Sequence, residues 1–267
     1  MSSTPVATAS YAPSSRLYPP ALTILLPVHN EAQSIGEVLQ DFHDEVVQPM
    51  EAELLVCEDG SADGSKEVLQ HLAQTLRMRL VIGDSRKGYA DAVRDGLRQA
   101  ESPLVFFTDS DGQYDPKDFW KLWSQLDGND MVIGRKVKRS EATYRTVLSR
   151  GFHILAKTFT GVPLQDMDCG FRLIRREVIE KVLPEVDSLR YSFWAEFSII
   201  AYRRGFRILE VPVSHRPRIN GSTSIYSWKQ LPRILWVQAI GLLQLARRLS
   251  RQAKLKRAAP PRAAAGF

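Results

Sequence analysis

An apolar run that ends on closely spaced carboxylates is the feature that most constrains the fold of this chain. Residues 103–107 read Pro-Leu-Val-Phe-Phe and lead directly into Thr-Asp-Ser-Asp-Gly-Gln-Tyr-Asp-Pro at 108–116. Such a run is typical of a buried parallel strand. Because side chains two apart on an extended strand point the same way, we expect Asp109, Asp111 and Gln113 to line one wall at its carboxyl end.

These three side chains offer the oxygen ligands that a hard divalent cation prefers. Mg²⁺ commonly takes one or two protein carboxylates together with substrate phosphates. The alternative interpretation is an acidic turn in which Asp115 and Pro116 begin a helix. A single Asp-x-Asp motif is too short to decide between the two.

Two other predicted strands also end in polar loops. Residues 53–58 run into Asp59 and Gly60, and residues 22–26 run into Pro27-Val-His-Asn-Glu31. A helical pattern follows each loop. In an open α/β sheet, ligands bind outside the carboxyl ends of the strands. We therefore expect all three loops to face one crevice.

The alternation of strand and helix patterns predicts an α/β fold with a doubly wound, mostly parallel sheet. Strands are expected at 22–27, 53–58, 79–83, 104–109 and 130–134, and helices at 34–47, 64–76, 89–100, 116–126 and 144–160. A strand or hairpin arm at 170–175, a helix at 193–204 and a strand at 206–213 follow. No GxGxxG motif occurs, which disfavours a dinucleotide-binding dehydrogenase.

Taken in order, the motifs resemble those of the family 2 glycosyltransferases. They are Pro27-x-x-Asn30-Glu31, Glu58-Asp59-Gly60-Ser61-x-Asp63-x-Ser65, Asp109-x-Asp111-x-Gln113, Gly134-Arg135, Ser149-Arg150-Gly151, Asp166-x-x-Cys169-Gly170-Phe171-Arg172, Glu210-Val-Pro212 and His215-x-x-Arg218-x-x-Gly221. The chain is most similar to the branch that contains dolichol-phosphate mannose synthase and bacterial polyprenyl-phosphate glycosyltransferases. Two positions depart from the pattern: Glu58 stands in the usual Asp-Asp pair, and Ser222-Thr-Ser224 replaces the usual Ser-Lys.

The resemblance implies the nucleotide-sugar-binding fold called GT-A and a GDP- or UDP-linked sugar donor. It implies Mg²⁺ or Mn²⁺ held by Asp109, Asp111 and Gln113, with Asp109 as a ligand or a ribose contact. The residues that it places beside the nucleotide are Pro27, Asn30, Glu31, Glu58, Asp59, Lys87 and Asp109. Arg218 is a candidate for holding the diphosphate, since guanidinium pairs with phosphate through two hydrogen bonds. The alternative for Arg218 is a solvated surface arginine.

The acceptor can be a hydroxyl or a phosphate. A hydroxyl acceptor needs a positioned carboxylate to take its proton, and residues 191–196, where relatives carry an acidic pair, hold only Glu196. A phosphate acceptor needs cations instead. Arg135 and Arg150 stand where the polyprenyl-phosphate branch would place its acceptor arginines, and Lys136, Lys138 and Arg139 form a basic loop or a second part of that site.

Three functions follow from these expectations. The first is inverting transfer of a hexose from a nucleotide sugar to a polyprenyl phosphate, catalysed with Asp111, Arg135, Arg150 and Arg218. The second is a soluble family 2 transferase that acts on a sugar or protein hydroxyl. The third is a non-catalytic nucleotide-sugar-binding subunit, which the intact metal-ligand set disfavours.

The charge of the chain is concentrated in its C-terminal tail. The formal net charge is +6, and residues 247–267 contribute seven Lys or Arg and no acid. Residues 234–246 are apolar but too short to span a bilayer, which needs about 20 residues. An apolar helix followed by basic residues suits a membrane interface with anionic headgroups. The alternatives are a core helix with a solvated tail and, disfavoured by the lack of a reader motif, nucleic-acid binding.

These patterns predict four segments. Residues 1–20 are expected to be disordered, 21–230 to form the GT-A domain, 231–250 an amphipathic interfacial helix, and 251–267 a basic disordered tail. Two cysteines and no secretory signal indicate a cytoplasmic enzyme, peripheral on the inner face of a membrane.

Overall fold

The computed structural model describes residues 8–9, 20–137, 143–218 and 231–258. Within these ranges, the side chains of residues 8–9, 143–150, 231–232 and 253–258 are outside the description.

The described strands form one sheet. In chain order they are β1 (Thr8–Ala9), β2 (Leu22–Val28), β3 (Glu53–Glu58), β4 (Met78–Ile82), β5 (Leu104–Thr108), β6 (Met131–Lys136), β7 (Phe171–Arg175) and β8 (Ile208–Val213). Their spatial order is β1-β4-β3-β2-β5-β7-β6-β8. All of them run parallel except β7, which is antiparallel to both neighbours, and β1, which is antiparallel to β4. The predicted mostly parallel sheet is confirmed.

Helices follow most of the strands. They are α1 (Ile35–Phe42), α2 (Ser65–Leu72), α3 (Tyr89–Gln99), α4 (Phe119–Trp123), α5 (Thr143–Thr160), α6 (Arg176–Val182), α7 (Phe193–Arg204) and α8 (Leu231–Ala258). A π-helical turn, His43–Val47, continues α1, and 3₁₀ turns, Pro116–Asp118 and Leu183–Glu185, precede α4 and follow α6.

Several predicted boundaries differ from the observed ones. Helix α6 has no predicted counterpart, and the helix predicted at 116–126 is a 3₁₀ turn joined to the short α4. Helix α8 extends beyond residue 250 to Ala258, and the short strand β1 lies within the segment predicted to be disordered. The rest of the predicted tail, 259–267, lies outside the described residues.

An aromatic cluster holds the strand that precedes the Asp-x-Asp motif. The ring of Phe106 meets Phe119 edge-on at a centroid distance of 5.0 Å and Phe171 at 4.8 Å. On the opposite face of β5, Phe107 packs on Trp194 at 4.5 Å. Because both faces of β5 are buried, the strand delivers Asp109 to the edge of the sheet in a fixed position.

Helix α8 has one face packed on the domain and another exposed. The buried residues recur at helical spacing and are Ile234, Gln238, Gly241, Leu242, Leu245 and Leu249. A Cβ on Gly241 would lie 2.3 Å from the carbonyl oxygen of Ser188, so this close approach requires glycine. Large apolar side chains are exposed on the other face, at Leu235, Trp236, Ile240 and Leu243. Within the described residues, no helix combines the length and the apolar character needed to cross a bilayer.

Candidate active site

The loops after β2 and β3 are tied together by the polar residues of the first two motifs. The Oδ1 atom of Asn30 accepts a hydrogen bond from the Ala62 N–H at 3.0 Å, and the Asn30 N–H donates to Ser61 Oγ at 3.0 Å. The Glu31 N–H donates to Ser65 Oγ at 2.9 Å. Asn30 has a φ of 56°, a left-handed conformation that Asn adopts more readily than most residues. Several polar side chains of the first two motifs therefore hold the backbone of these loops in place.

Pro27 and Glu58 are buried parts of the same framework. Pro27 lies in β2 with its Cα opposite Cys57. The side chain of Glu58 is fully buried, and one of its oxygens accepts a hydrogen bond from the Ser61 N–H. Glu58 thus stabilises the turn, and its predicted contact with the nucleotide stays a prediction.

Asp59 organises a third loop, at residues 85–88. Its two carboxylate oxygens accept hydrogen bonds from the backbone N–H groups of Lys87, at 2.7 Å, and Gly88, at 2.9 Å. The ammonium of Lys87 is turned to Asp95 of α3, at 2.8 Å. The predicted contact of Lys87 with the nucleotide stays a prediction, and in the structure its ammonium is paired with Asp95. His29 Nδ1 donates to the carbonyl oxygen of Asp59 at 2.8 Å, as expected for a residue that packs on the loop.

Arg218 lies between two carboxylates of the crevice. Its guanidinium forms an ion pair with Glu31, and its charge opposes the rise in the pKa of Asp111 that burial causes. Burial raises the pKa of Glu31, and Arg218 and a 2.9 Å hydrogen bond from Ser34 Oγ oppose that effect. Arg218 is therefore a partly buried, ion-paired residue beside Asp111.

Gln113 connects the Asp-x-Asp loop to the segment that carries Arg218. Its carbonyl oxygen accepts from the Arg216 N–H at 2.7 Å, and its Nε2 donates to the Arg216 carbonyl oxygen at 3.1 Å. Nearby, the Ser214 N–H donates to Asp118 Oδ2 at 2.5 Å. These bonds hold residues 214–218 against the loop after β5. Gly221, the last residue of the matched motif, lies outside the described residues.

Asp109 and Asp111 form the acidic centre of the site. Burial, followed by the charge of Asp111, raises the pKa of Asp109 to about 7. Burial likewise raises the pKa of Asp111. Two buried carboxylates repel each other when both are ionised. A hard divalent cation prefers oxygen ligands, and its positive charge would offset this repulsion. The residues present therefore fit the predicted metal, although the described residues contain no complete group of three Asp, Glu, His or Cys ligands.

Two further residues act on this centre: Lys136, which the sequence predicts to belong to a basic loop or to the acceptor site, and Asp168, which has no predicted role. Burial raises the pKa values of Asp109, Asp111 and Asp168, and the charge of Lys136 opposes that rise. Asp168 faces the same centre, and its burial raises its pKa to about 6. Because successive side chains on a strand point to opposite faces, Arg135 projects away from the face that Lys136 presents to the acidic centre. The side chain of Arg150 is not described, and Lys138 and Arg139 lie outside the described residues.

The carboxylate of Glu196 has a structural role. Its carboxylate accepts backbone hydrogen bonds from Ser188 and Leu189, at 2.8 and 2.7 Å, and a charge-assisted bond from Arg248 at 2.9 Å. The side chain is buried. Asp166, which begins a matched motif, is also buried, and it accepts a hydrogen bond from the Lys136 N–H at 3.1 Å.

The mostly parallel sheet, with carboxylates at its strand ends and one antiparallel strand inserted next to β5, has the GT-A arrangement of solved glycosyltransferases. Residues 23–183 match the family described as Glycosyl transferase family 2. The chain belongs to this family and is a glycosyltransferase, as its motifs indicate.

Named relatives and solved structures agree with this assignment. The polyprenol monophosphomannose synthase of Mycolicibacterium smegmatis is 30% identical over 208 residues, which are 73% of this chain and 77% of the relative. An undecaprenyl-phosphate 4-deoxy-4-formamido-L-arabinose transferase of Proteus mirabilis is 27% identical over 80% of this chain and 65% of its own length, slightly under two thirds. A mannosyltransferase of Pyrobaculum calidifontis, solved with GDP-Man and Mn²⁺, has the same fold, with a TM-score of 0.58, 21% identity, and coverage of 93% of this chain and 79% of its own.

Proposed function

We propose that this glycosyltransferase moves a hexosyl residue from a GDP- or UDP-linked sugar to a polyprenyl phosphate, with inversion and with Mg²⁺ or Mn²⁺. The observation that carries the proposal is the state of Glu196. A hydroxyl acceptor would need a free carboxylate near the start of α7, and Glu196 is buried and bonded to backbone and to Arg248. A phosphate acceptor is already an anion and requires no such base.

On the donor side, Asp111 and Gln113 would hold the cation, with Asp109 as a third ligand or a ribose contact. A bound divalent cation supplies Lewis-acid stabilisation of the negative charge that grows on the diphosphate leaving group. Arg218 contributes a second positive charge on the same group from the side of Glu31. The Mn²⁺ and GDP-Man bound by the Pyrobaculum calidifontis enzyme support this arrangement.

On the acceptor side, the charge of Lys136 acts on both Asp109 and Asp111. We propose that Lys136 helps to hold the acceptor phosphate, together with Arg150. The phosphate oxygen would then attack the anomeric carbon directly, from the face opposite the departing diphosphate. The acceptors named for the Mycolicibacterium smegmatis and Proteus mirabilis relatives are polyprenyl lipids, which supports this acceptor class.

One observation favours a second candidate function, transfer to a hydroxyl. Asp168 lies at the acidic centre beside the start of α7, where its carboxylate accepts a hydrogen bond from the Ala195 N–H at 3.2 Å. Its pKa of about 6 suits a general base near neutral pH. In this alternative, Asp168 takes the proton of the acceptor hydroxyl, and Lys136 only offsets the negative charge of the acidic centre.

We further propose that the enzyme works on the cytoplasmic face of a membrane. The exposed apolar residues of α8 and the basic residues that follow them would contact the lipid surface. The buried face of the same helix would keep the domain in a fixed orientation relative to that surface.

A donor-by-acceptor screen tests the proposal. GDP-mannose, GDP-glucose, UDP-glucose and UDP-galactose would each be combined with a short polyprenyl phosphate, the matching polyprenol and a simple alkyl glycoside, in Mn²⁺ or Mg²⁺. Transfer that requires the phosphate is the expected result. Transfer to polyprenol or glycoside at an equal rate would support the hydroxyl alternative.

A further inference from the structure

The carboxylate of Asp109 is confined on two sides. Its Oδ1 accepts a hydrogen bond from the hydroxyl of Tyr89 at 2.8 Å. Its Oδ2 lies 2.0 Å from the position that a Cβ on Gly170 would occupy, and the Asp109 N–H donates to the Gly170 carbonyl oxygen at 3.2 Å. A side chain at position 170 would displace the carboxylate. Asp109 is therefore held in one orientation by its neighbours.

A second donor fixes the direction of the Tyr89 hydrogen bond. The indole Nε1–H of Trp194 donates to the Tyr89 hydroxyl oxygen at 3.0 Å. An indole N–H can only donate, and a carboxylate that binds a cation is ionised and can only accept. The hydroxyl therefore accepts from Trp194 and gives its own proton to Asp109. The relay runs in one direction, from Trp194 through Tyr89 to Asp109.

The first member of this relay is itself immobilised. Trp194 is buried, its ring packs on Phe107 at 4.5 Å, and the guanidinium of Arg172 lies 4.0 Å above it. Tyr89 is different, because 41% of its surface is exposed at the mouth of the site. Tyr89 is thus held between the indole N–H of Trp194 and the carboxylate of Asp109. Core packing does not explain this arrangement, because Tyr89 is partly exposed.

We propose that Tyr89 and Trp194 are positioning residues that fix Asp109 for binding of the nucleotide sugar. The inference rests on the proposed function, because it takes Asp109 to contact the donor or its cation. Tyr89 acts directly on Asp109, whereas Trp194 acts through Tyr89. Loss of a hydrogen bond to a charged group changes affinity by roughly 10- to 150-fold, and we expect the lower end because Tyr89 is partly exposed as a residue and solvent can reach the vacated position.

Calorimetric titration of GDP-mannose and UDP-glucose in the presence of MnCl₂ tests the relay without an acceptor. Tyr89→Phe removes only the hydroxyl and should weaken binding of the cognate nucleotide sugar about 10-fold, with an unchanged Tm. Trp194→Phe should weaken it in the same direction. The double variant should bind no more weakly than Tyr89→Phe alone, because Trp194 acts through the missing hydroxyl. Tyr202→Phe, an exposed tyrosine on α7, is the matched control and should bind as the wild type does.

Each of the other outcomes contradicts one part of the proposal. Wild-type affinity in Tyr89→Phe overturns the inference and leaves the proposed function standing. Full additivity in the double variant overturns the role of Trp194 as a residue that acts through Tyr89. If Trp194→Phe does not fold, the Tyr89→Phe result alone still decides the role of Tyr89. Failure of the wild type to bind any nucleotide sugar with Mn²⁺ overturns the proposed function, and the inference with it.

Discussion

The guanidinium of Arg248 in α8 donates a 2.9 Å hydrogen bond to the buried carboxylate of Glu196 in α7. A second bond, from Arg248 to Asp187 at 2.6 Å, holds the same segment. Helix α7 also carries Trp194, which contacts Tyr89 at the acidic centre. Residues 187–196 therefore connect the surface on which α8 packs to the active site. The C-terminal helix is thus an integral part of the catalytic domain.

Glu196→Gln is expected to lower stability with little effect on nucleotide-sugar affinity. The amide places N–H donors against backbone N–H groups and against Arg248. Removing one partner of a buried ion pair costs about 3–5 kcal/mol, and the partial exposure of Arg248, 26%, favours the lower end. At roughly 2–4 °C per kcal/mol for a chain of this size, thermal denaturation should show a Tm decrease of about 6–12 °C.

Glu177→Gln is the matched control, since it makes the same chemical change in an exposed pair with Lys181. Exposed ion pairs contribute little, so its Tm should not change measurably. A Glu196→Gln protein with wild-type Tm and abolished transfer would contradict the structural role and return Glu196 to the list of candidate bases.

The exposed face of α8 should bind lipid independently of the stability of the fold. Trp236 is 69% exposed and Leu243 is 40% exposed. Burial of a large apolar side chain contributes about 1.5–3 kcal/mol, so Trp236→Ser should reduce affinity for anionic liposomes by roughly 10-fold or more. Leu243→Ser should act in the same direction. Cosedimentation with phosphatidylglycerol vesicles measures the effect, and the Tm should stay unchanged.

Tyr202→Ser, on α7, is the control for loss of an exposed apolar side chain away from α8. These point variants are more informative than deletion of residues 233–267, which would also remove the buried Leu242, Leu245 and Leu249. Equal vesicle binding by Trp236→Ser and the wild type would show that this face does not contact lipid.

Local pattern predicted the parallel strands and the acidic strand ends because both depend on neighbours in sequence. The run 103–107 is apolar because β5 is buried on both faces, and Asp109 follows because the strand ends there. The position of β7, inserted antiparallel between β5 and β6, is set by pairing across the sheet and has no comparable local signal.

The same distinction separates the predicted from the missed parts of the site. Motif spacing predicted Asp109, Asp111 and Arg218 as site residues, and the structure brings the three together. The spacing did not identify Tyr89 or Asp168, because their roles depend on tertiary approach; the Tyr89–Trp194 contact joins residues 105 apart in sequence. The alternation of side chains along β6 could have drawn more attention to Lys136 as the alternative to Arg135.

Addition of Mn²⁺ should raise the Tm, and the increase should be larger at pH 8 than at pH 5.5. Burial and the charge of Asp111 raise the pKa of Asp109 to about 7 from an ordinary value of 3.8. Between about pH 4 and 7 the folded protein retains a proton that the unfolded chain has lost, so stability falls as pH rises through this window. Mn²⁺ competes with that proton for the carboxylates. At pH 8 the proton is largely lost, so Mn²⁺ binds more tightly and stabilises the folded protein more than at pH 5.5.

Differential scanning fluorimetry with and without MnCl₂ at both pH values measures this effect. Asp111→Asn should abolish the Mn²⁺-dependent increase and lower turnover by about 100-fold or more. Asp41→Asn, at an exposed position of α1, should retain both the Tm increase and the turnover. Full turnover in excess chelator would contradict the assignment of the metal site.

The acceptor can be identified by comparing Lys136→Met with Asp168→Asn. If the acceptor is a phosphate, Lys136→Met should raise the acceptor KM or lower turnover, since a lost charge-assisted hydrogen bond costs roughly 10- to 150-fold in kcat/KM. Arg150→Ala should act in the same direction, whereas Arg135→Ala should be milder because Arg135 leaves β6 on the opposite face. Asp168→Asn should then be mild, because no acceptor proton has to be removed.

The hydroxyl acceptor predicts the opposite pattern. Asp168→Asn should then lower kcat by about 100-fold or more, because a general base contributes that much. The wild-type rate should also fall as the pH decreases through about 6, where Asp168 takes up its proton. Initial rates with a short polyprenyl phosphate and with the matching polyprenol, measured from pH 5 to 8, separate the two patterns. Transfer to the polyprenol by Lys136→Met at the wild-type rate, lost in Asp168→Asn, would refute the phosphate acceptor.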